Sequence, residues 1–134
     1  MLLLLTLVSI GSCASRQARQ PTEREPGTQV VLAPGESRRI LDTALTLSFE
    51  TLVEDSRCPT GVTCIRAGDA IVRVRIAQRD TPSSTYTLHT SVESGREIVH
   101  STVRVRLEDV LPYPTADRAP RPDEYRVTLS FHKR

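Results

Sequence analysis

Asp55-Ser56-Arg57-Cys58-Pro59-Thr60-Gly61-Val62-Thr63-Cys64-Ile65-Arg66-Ala67-Gly68-Asp69-Ala70-Ile71-Val72-Arg73-Val74-Arg75-Ile76 is the stretch whose reading decides the fold. It holds two of the three cysteines of the chain, Cys58 and Cys64, then a turn signal at Ala67-Gly68-Asp69, then a clean β-alternation. Pro59 presets φ and Gly61 tolerates a positive φ, so the segment between the cysteines can double back and bring the two Cβ atoms within bridging distance. A disulfide is therefore expected, closing a loop so short that the bridge contributes on the order of 2 kcal/mol. The rival is a metal pair, but structural zinc takes four ligands, and the sequence offers no second Cys/His cluster at ligand spacing. After the loop, Val72, Val74 and Ile76 share one face of a strand, and Ile71, Arg73 and Arg75 share the other.

The same alternation recurs on either side. Upstream, Leu45, Leu47, Phe49 and Thr51 are expected to face inward, with Thr46, Ser48 and Glu50 outward. Short apolar runs at 29–32 and 38–41 read as two further strands, separated by the Pro34-Gly35 turn. Downstream, residues 80–84 contain Pro82 and read as a turn. Tyr86 and Leu88 mark the buried side of the next strand, and 97–100 starts another apolar run after the Ser94-Gly95 turn. Val103, Val105 and Leu107 alternate with Arg104, Arg106 and Glu108. Leu111-Pro112-Tyr113-Pro114 cannot continue a central strand, because proline lacks the ladder donor. Tyr125, Val127, Leu129 and Phe131 form the last strand. Seven to eight short strands with turns between them and no helical period predict an all-β fold: an antiparallel β-sandwich or partly closed barrel carrying one disulfide-clipped loop.

Length and composition fit one such domain with appendages. The chain has 134 residues, 38% of them hydrophobic and 25% charged, and no Trp, so the core must be built largely from Val, Leu and Ile. A net charge of +2 gives no reason to expect a nucleic-acid partner. Lys133 is the single lysine and Asn is absent, a bias that genomic base composition explains more simply than Arg-specific recognition.

The N-terminal part reads as processing signal and tether. Residues 2–10 are almost wholly apolar, too short to span a bilayer comfortably, and match the apolar region of a signal peptide. Ile10-Gly11-Ser12-Cys13 resembles the processing box of bacterial lipoproteins, which would make Cys13 the acylated first residue after removal of 1–12. No Lys or Arg precedes the leucines, as expected if the start lies upstream of Met1. Ala14 after Cys13 favours sorting to the outer membrane. Residues 13–28 then supply a lipidated cysteine and a polar tether with an r.m.s. reach of roughly 20 Å, ahead of a β domain over 29–134.

The combination Asp55-Ser56-Arg57-Cys58-Pro59, Cys64-Ile65, Ala67-Gly68-Asp69-Ala70, Leu111-Pro112-Tyr113-Pro114 and Asp123-Glu124-Tyr125-Arg126-Val127 resembles a set of uncharacterised bacterial secreted proteins and lipoproteins. In such sequences an aromatic residue tends to follow Cys-Ile; here Arg66 stands in that place. The resemblance implies a β domain on the cell envelope and no particular activity; the processing box and Ala14 are what favour the outer membrane, facing the periplasm.

No catalytic signature emerges. There is no nucleophile elbow, phosphate loop or nucleotide fingerprint, and a bridge uses up both candidate thiols. His89, His100 and His132 do not fall at ligand spacing, so no metal or other cofactor is expected. The outward arginines Arg73, Arg75, Arg104, Arg106 and Arg126 are expected to pair across strands with Glu50, Glu97, Glu108 or Asp69; the alternative, if their strands pair, is a basic ladder suited to an acidic envelope polymer. Asp55 and Asp69 flank the bridge, where turn chemistry and pairing with Arg57 or Arg66 are expected, and Thr60 sits within the loop. The expectation is a non-enzymatic envelope lipoprotein, tethered to the membrane through its lipid and binding a protein or cell-wall partner. The alternative is a protease-inhibitor-like module that presents the Cys58–Cys64 loop; exposure of that loop separates the two.

Overall fold

The computed structural model describes residues 28–40 and 43–134; the expected signal segment, Cys13 and nearly all of the expected tether lie outside the described residues. Eight strands follow one another: β1 (Thr28–Leu32), β2 (Ser37–Arg39), β3 (Leu45–Asp55), β4 (Ala70–Gln78), β5 (Thr81–His89), β6 (Glu97–His100), β7 (Val103–Leu111) and β8 (Arg126–Lys133). Short 3-10 turns occupy Glu93–Gly95 and Pro122–Glu124. The strands form two antiparallel four-stranded sheets, ordered β1-β8-β7-β6 and β2-β3-β4-β5. The outcome is a sandwich-like pair of sheets and not a closed barrel.

One core cluster draws on both sheets. Leu47, Phe49, Val72, Val74, Ile76 and Leu88 come from one, and Leu32, Val105, Leu107, Val110, Val127 and Leu129 from the other, all fully buried. On β4 the alternation holds as read: Val72, Val74 and Ile76 are buried, while Arg73 and Arg75 are exposed. On β3 the apolar positions follow it only to Phe49, and Ser48, expected to face outward, is buried beside Ser37 of β2, their hydroxyls 2.8 Å apart. A register shift follows, with Phe49 opposite Val74 and Thr51 opposite Arg73, so Glu50 is an extra residue. Such a bulge reverses which side chains face inward. Thr51, expected on the buried face, is exposed, and Leu52 packs against the core instead. A bulge at Glu108 does the same on β7 and brings Val110 inside.

Two other expectations are corrected. The second strand covers Ser37–Arg39, short of the reading to Leu41, which lies outside the described residues. Residues 81–84 are not a turn but the start of β5; the turn is tighter, at Arg79-Asp80, where Asp80 takes φ 61°. Pro82 is accommodated because β5 is an edge strand, with one side free of any ladder.

The registers define two poles. At one, β3, β5 and β7 end and β4 and β8 begin, so the Cys58–Cys64 loop, the Thr90–Arg96 connection and the Leu111–Tyr125 connection meet there. At the other, Thr28 pairs with Phe131, so the chain enters the domain at the pole opposite the loop.

Candidate functional site

The loop is bridged: Cys58 and Cys64 form a disulfide with Cα atoms 5.9 Å apart. Its base continues the β3–β4 ladder. Ser56 N–H donates to the Asp69 carbonyl at 2.7 Å, and Cys58 N–H donates to the Ala67 carbonyl at 2.8 Å. Gly68 is required here. It has φ +71°, and a Cβ at this position would lie 1.7 Å from the Ser56 carbonyl oxygen.

Beneath the bridge lies Arg57, at 5% exposure the one charged residue in the buried class among the described residues. Its guanidinium forks onto Asp55, with Nε to Oδ1 at 2.8 Å and Nη2 to Oδ2 at 2.7 Å. The remaining donors cross to the other sheet: Nη1 reaches the Val110 carbonyl, and Nη2 the Pro112 carbonyl at 3.0 Å. Tyr113 covers the guanidinium with its ring centroid 4.1 Å away. The Tyr125 hydroxyl donates to Asp55 Oδ2 at 3.0 Å. The pair is therefore hydrogen-bonded on all sides, the condition under which a buried charge is tolerated. Burial pushes the Asp55 carboxyl up, but the bonds from Arg57 and Tyr125 outweigh it and hold Asp55 below the ordinary carboxylate range. Tyr125, buried and bonded to Asp55, is pushed up to about 12.

Asp69 is the second buttress and works differently. Its carboxylate organises the neighbouring connection: Oδ1 accepts from Thr90 N–H at 2.8 Å, Thr90 Oγ1 at 2.9 Å and Ser91 N–H at 2.9 Å, and Oδ2 lies 2.7 Å from His89 Nδ1. Burial opposes its ionisation, yet His89, Ser91 and Thr90 together bring the carboxyl down to about 2. His89 is half-buried against this carboxylate. Arg66, offered as an alternative partner for these carboxylates, is exposed and makes no ion pair among the described residues.

Above this base the tip protrudes. Residues 60–67 are all exposed, and Ile65 reaches 104% relative exposure. One flank is braced, because Thr60 N–H donates to the Pro114 carbonyl at 2.9 Å and Thr60 forms a parallel bridge with Thr115. Of the eight large hydrophobic side chains exposed among the described residues, six (Val53, Val62, Ile65, Val92, Leu111 and Tyr113) belong to this pole, so exposed apolar surface is concentrated there. A depression of about 350 Å³ beside the loop, lined by Cys58, Ala67, Ser91, Arg96, Asp109 and Tyr113 among others, is too rich in charge to resemble an apolar ligand pocket.

The outward arginines are not brought together. β4 and β7 belong to different sheets, so Arg73 and Arg75 lie on one outer face and Arg104, Arg106 and Arg126 on the other. No single ladder exists, and most of the charges are met locally. Arg75 pairs with Glu50 at 3.0 Å, Arg104 with Glu97 at 2.9 Å, and Arg106 with Glu93 at 2.7 Å. Arg126 donates to the carbonyls of Asp123 and Tyr125. Arg73 is exposed and makes no ion pair among the described residues. No group of three His, Cys, Asp or Glu suited to a metal occurs among the described residues.

Sequence reasoning missed Tyr113, Tyr125, Thr90 and Ser91 as members of this site. Tyr125 carried a usable signal: a tyrosine at a buried strand position needs a partner for its hydroxyl. Comparison with protein-family models, with curated proteins and with solved structures returns no match.

Proposed function

We propose that the chain is a non-enzymatic bacterial envelope lipoprotein, tethered through Cys13, that docks a protein partner with its disulfide-clipped pole. One observation carries the reading. Val62 and Ile65 are held exposed on a loop whose base is fixed by a disulfide, a buried bidentate ion pair and backbone bonds on two sides. Exposed apolar side chains on a pre-ordered loop lower the entropy lost on association. A cluster of apolar residues at one pole is the usual mark of a protein contact. The topology supports the orientation: a tether joined to Thr28 leaves from the opposite pole, so the loop points away from the anchored side. An acidic polymer is the weaker partner, because the arginines are divided between two faces and largely neutralised.

Two experiments test the parts separately. Cys13→Ser should abolish fatty-acid incorporation and release the protein from membranes; unchanged fractionation without label uptake rejects the anchor. A photo-cross-linker at Ile65 should trap a partner in living cells, and one at Arg79, on the opposite pole, should not. Equal trapping at both, or none at Ile65, rejects docking through the loop.

A second reading, an inhibitor-like module, is favoured by the same protruding tip. It expects inhibition of an envelope protease, and Val62→Ala or Thr60→Ala should weaken that inhibition even at temperatures where the variants are fully folded.

A further inference from the structure

The four sheet edges are unequal. β2 is three residues long and carries Arg38 and Arg39; β6 is four residues long and begins with Glu97. β1 is uncharged but only five residues long, and Arg38 and Arg39 line a groove with it. Short length and flanking charge are the ordinary protections of an exposed edge. β5 is longer and carries no charge of its own: Thr81–His89 runs nine residues without Asp, Glu, Lys or Arg, in a chain that is 25% charged, and its protections, Pro82 and the register shift between Ile76 and Gln78, lie at its start.

Its backbone is also available. Thr90 N–H bonds to the Ala70 carbonyl, which sets the phase of the β4–β5 ladder. Leu88 and Tyr86, two and four residues back, are then bonded to β4 through Val72 and Val74, and the groups of Thr85 and Thr87 point away from the sheet. No turn, loop or side-chain hydrogen bond among the described residues uses the Thr85 or Thr87 backbone, and both residues are exposed.

We propose that β5 is a self-association edge, on which a second copy of this chain adds its own β5 antiparallel and joins the two four-stranded sheets into one. The occupant follows from charge and side-chain chemistry. A two-fold axis at Thr85 places Thr85 opposite itself and Ser83 opposite Thr87. An edge that meets its own copy must carry no charge near the axis, since like charges directly opposite repel, whereas hydroxyl residues in that position pair favourably. Pairing over Ser83–Thr87 adds about six backbone hydrogen bonds. The association uses neither the disulfide-clipped pole nor a lipid anchor and stands apart from the function proposed above.

The test is sedimentation equilibrium on the chain with its N-terminal segment and Cys13→Ser, so that no acyl group contributes. A reversible dimer is expected. Thr85→Lys should weaken it at least about fivefold by setting like charges across the axis, with an unchanged circular-dichroism spectrum and melting temperature. Mixing Thr85→Lys with Thr85→Glu should restore a heterodimer. A protein that stays monomeric up to about 1 mM, the limit of weak specific association, overturns the proposal. So does a dimer indifferent to Thr85→Lys, or one lost instead on Ile65→Ser.

Discussion

The base and the tip of the clipped loop are a few residues apart and follow opposite rules. At the base, Arg57 and Asp55 are buried and fully bonded, and every contact is to this chain. At the tip, Val62 and Ile65 are apolar and exposed. The usual arrangement, charge outside and hydrocarbon inside, is inverted over this short distance. The inversion separates two tasks. The base spends its interactions on holding geometry, and the tip, relieved of any part in the core, is free to present surface. Stability and recognition should therefore be separable by mutation.

The sharpest break is at the base. Arg57→Ala leaves Asp55 buried without its cation and takes the guanidinium donor from the Val110 and Pro112 carbonyls, and should cost about 3–5 kcal/mol. Denaturant unfolding measures it. The combined change Asp55→Leu, Arg57→Met and Tyr125→Phe should cost less than Arg57→Ala alone, because it leaves no orphaned charge. If the triple variant is the worse of the two, the pair supplies net stability beyond its own desolvation.

Next in size is the bridge. Replacing Cys58 and Cys64 with Ala should lower stability by about 2 kcal/mol, or roughly 10 °C in Tm for a domain of this size. Partner binding should fall further than the folded fraction, because the tip loses its order.

Asp69 makes the base sensitive to acid. Its carboxyl is ordinarily at 3.8 and lies near about 2 in the folded protein, so the unfolded chain binds the proton more readily between those values. The stabilisation is complete above about pH 4 and disappears as pH falls toward 2, an amount on the order of 2 kcal/mol. Asp55, also held low, adds a dependence of the same sign. Asp69→Asn should flatten the decline in Tm between pH 4 and pH 2; an equally steep variant would assign the acid sensitivity elsewhere.

The smallest expected effect on stability is at the tip. Ile65→Ser and Val62→Ser should change unfolding free energy by no more than about 0.5 kcal/mol, while abolishing partner capture in a pull-down. A loss above 1 kcal/mol would show that the tip packs on the body, and the contrast between base and tip would fail.

Much of the fold could be read from local pattern. The β4 and β8 alternations and the Cys-Pro-x-Gly-x-x-Cys spacing are local features, and the structure reproduces them. The bulges at Glu50 and Glu108 could not be read, because an extra residue is defined only against a partner strand. The same holds for the site. Asp55 and Arg57 are two residues apart, and their pairing was legible. The carbonyls of Val110 and Pro112 that complete the guanidinium's shell lie more than fifty residues along the chain, and nothing local in Arg57 points to them. Sheet order decided the fate of the arginine ladder for the same reason: alternation fixed which way each arginine faces, not which sheet it belongs to.

The antiparallel register of β1 on β8 has a mechanical consequence. Pulling on the chain ahead of Thr28 while the clipped pole is gripped directs the load along the axis of β1. The pairs from Thr28–Phe131 to Leu32–Val127 then strain together, in shear, instead of opening one after another like a zip. Lifetime under such a load is set by the barrier to rupture and not by equilibrium stability. A five-residue strand at the edge of its sheet can thus act as a strong mechanical joint between a tether and a gripped pole.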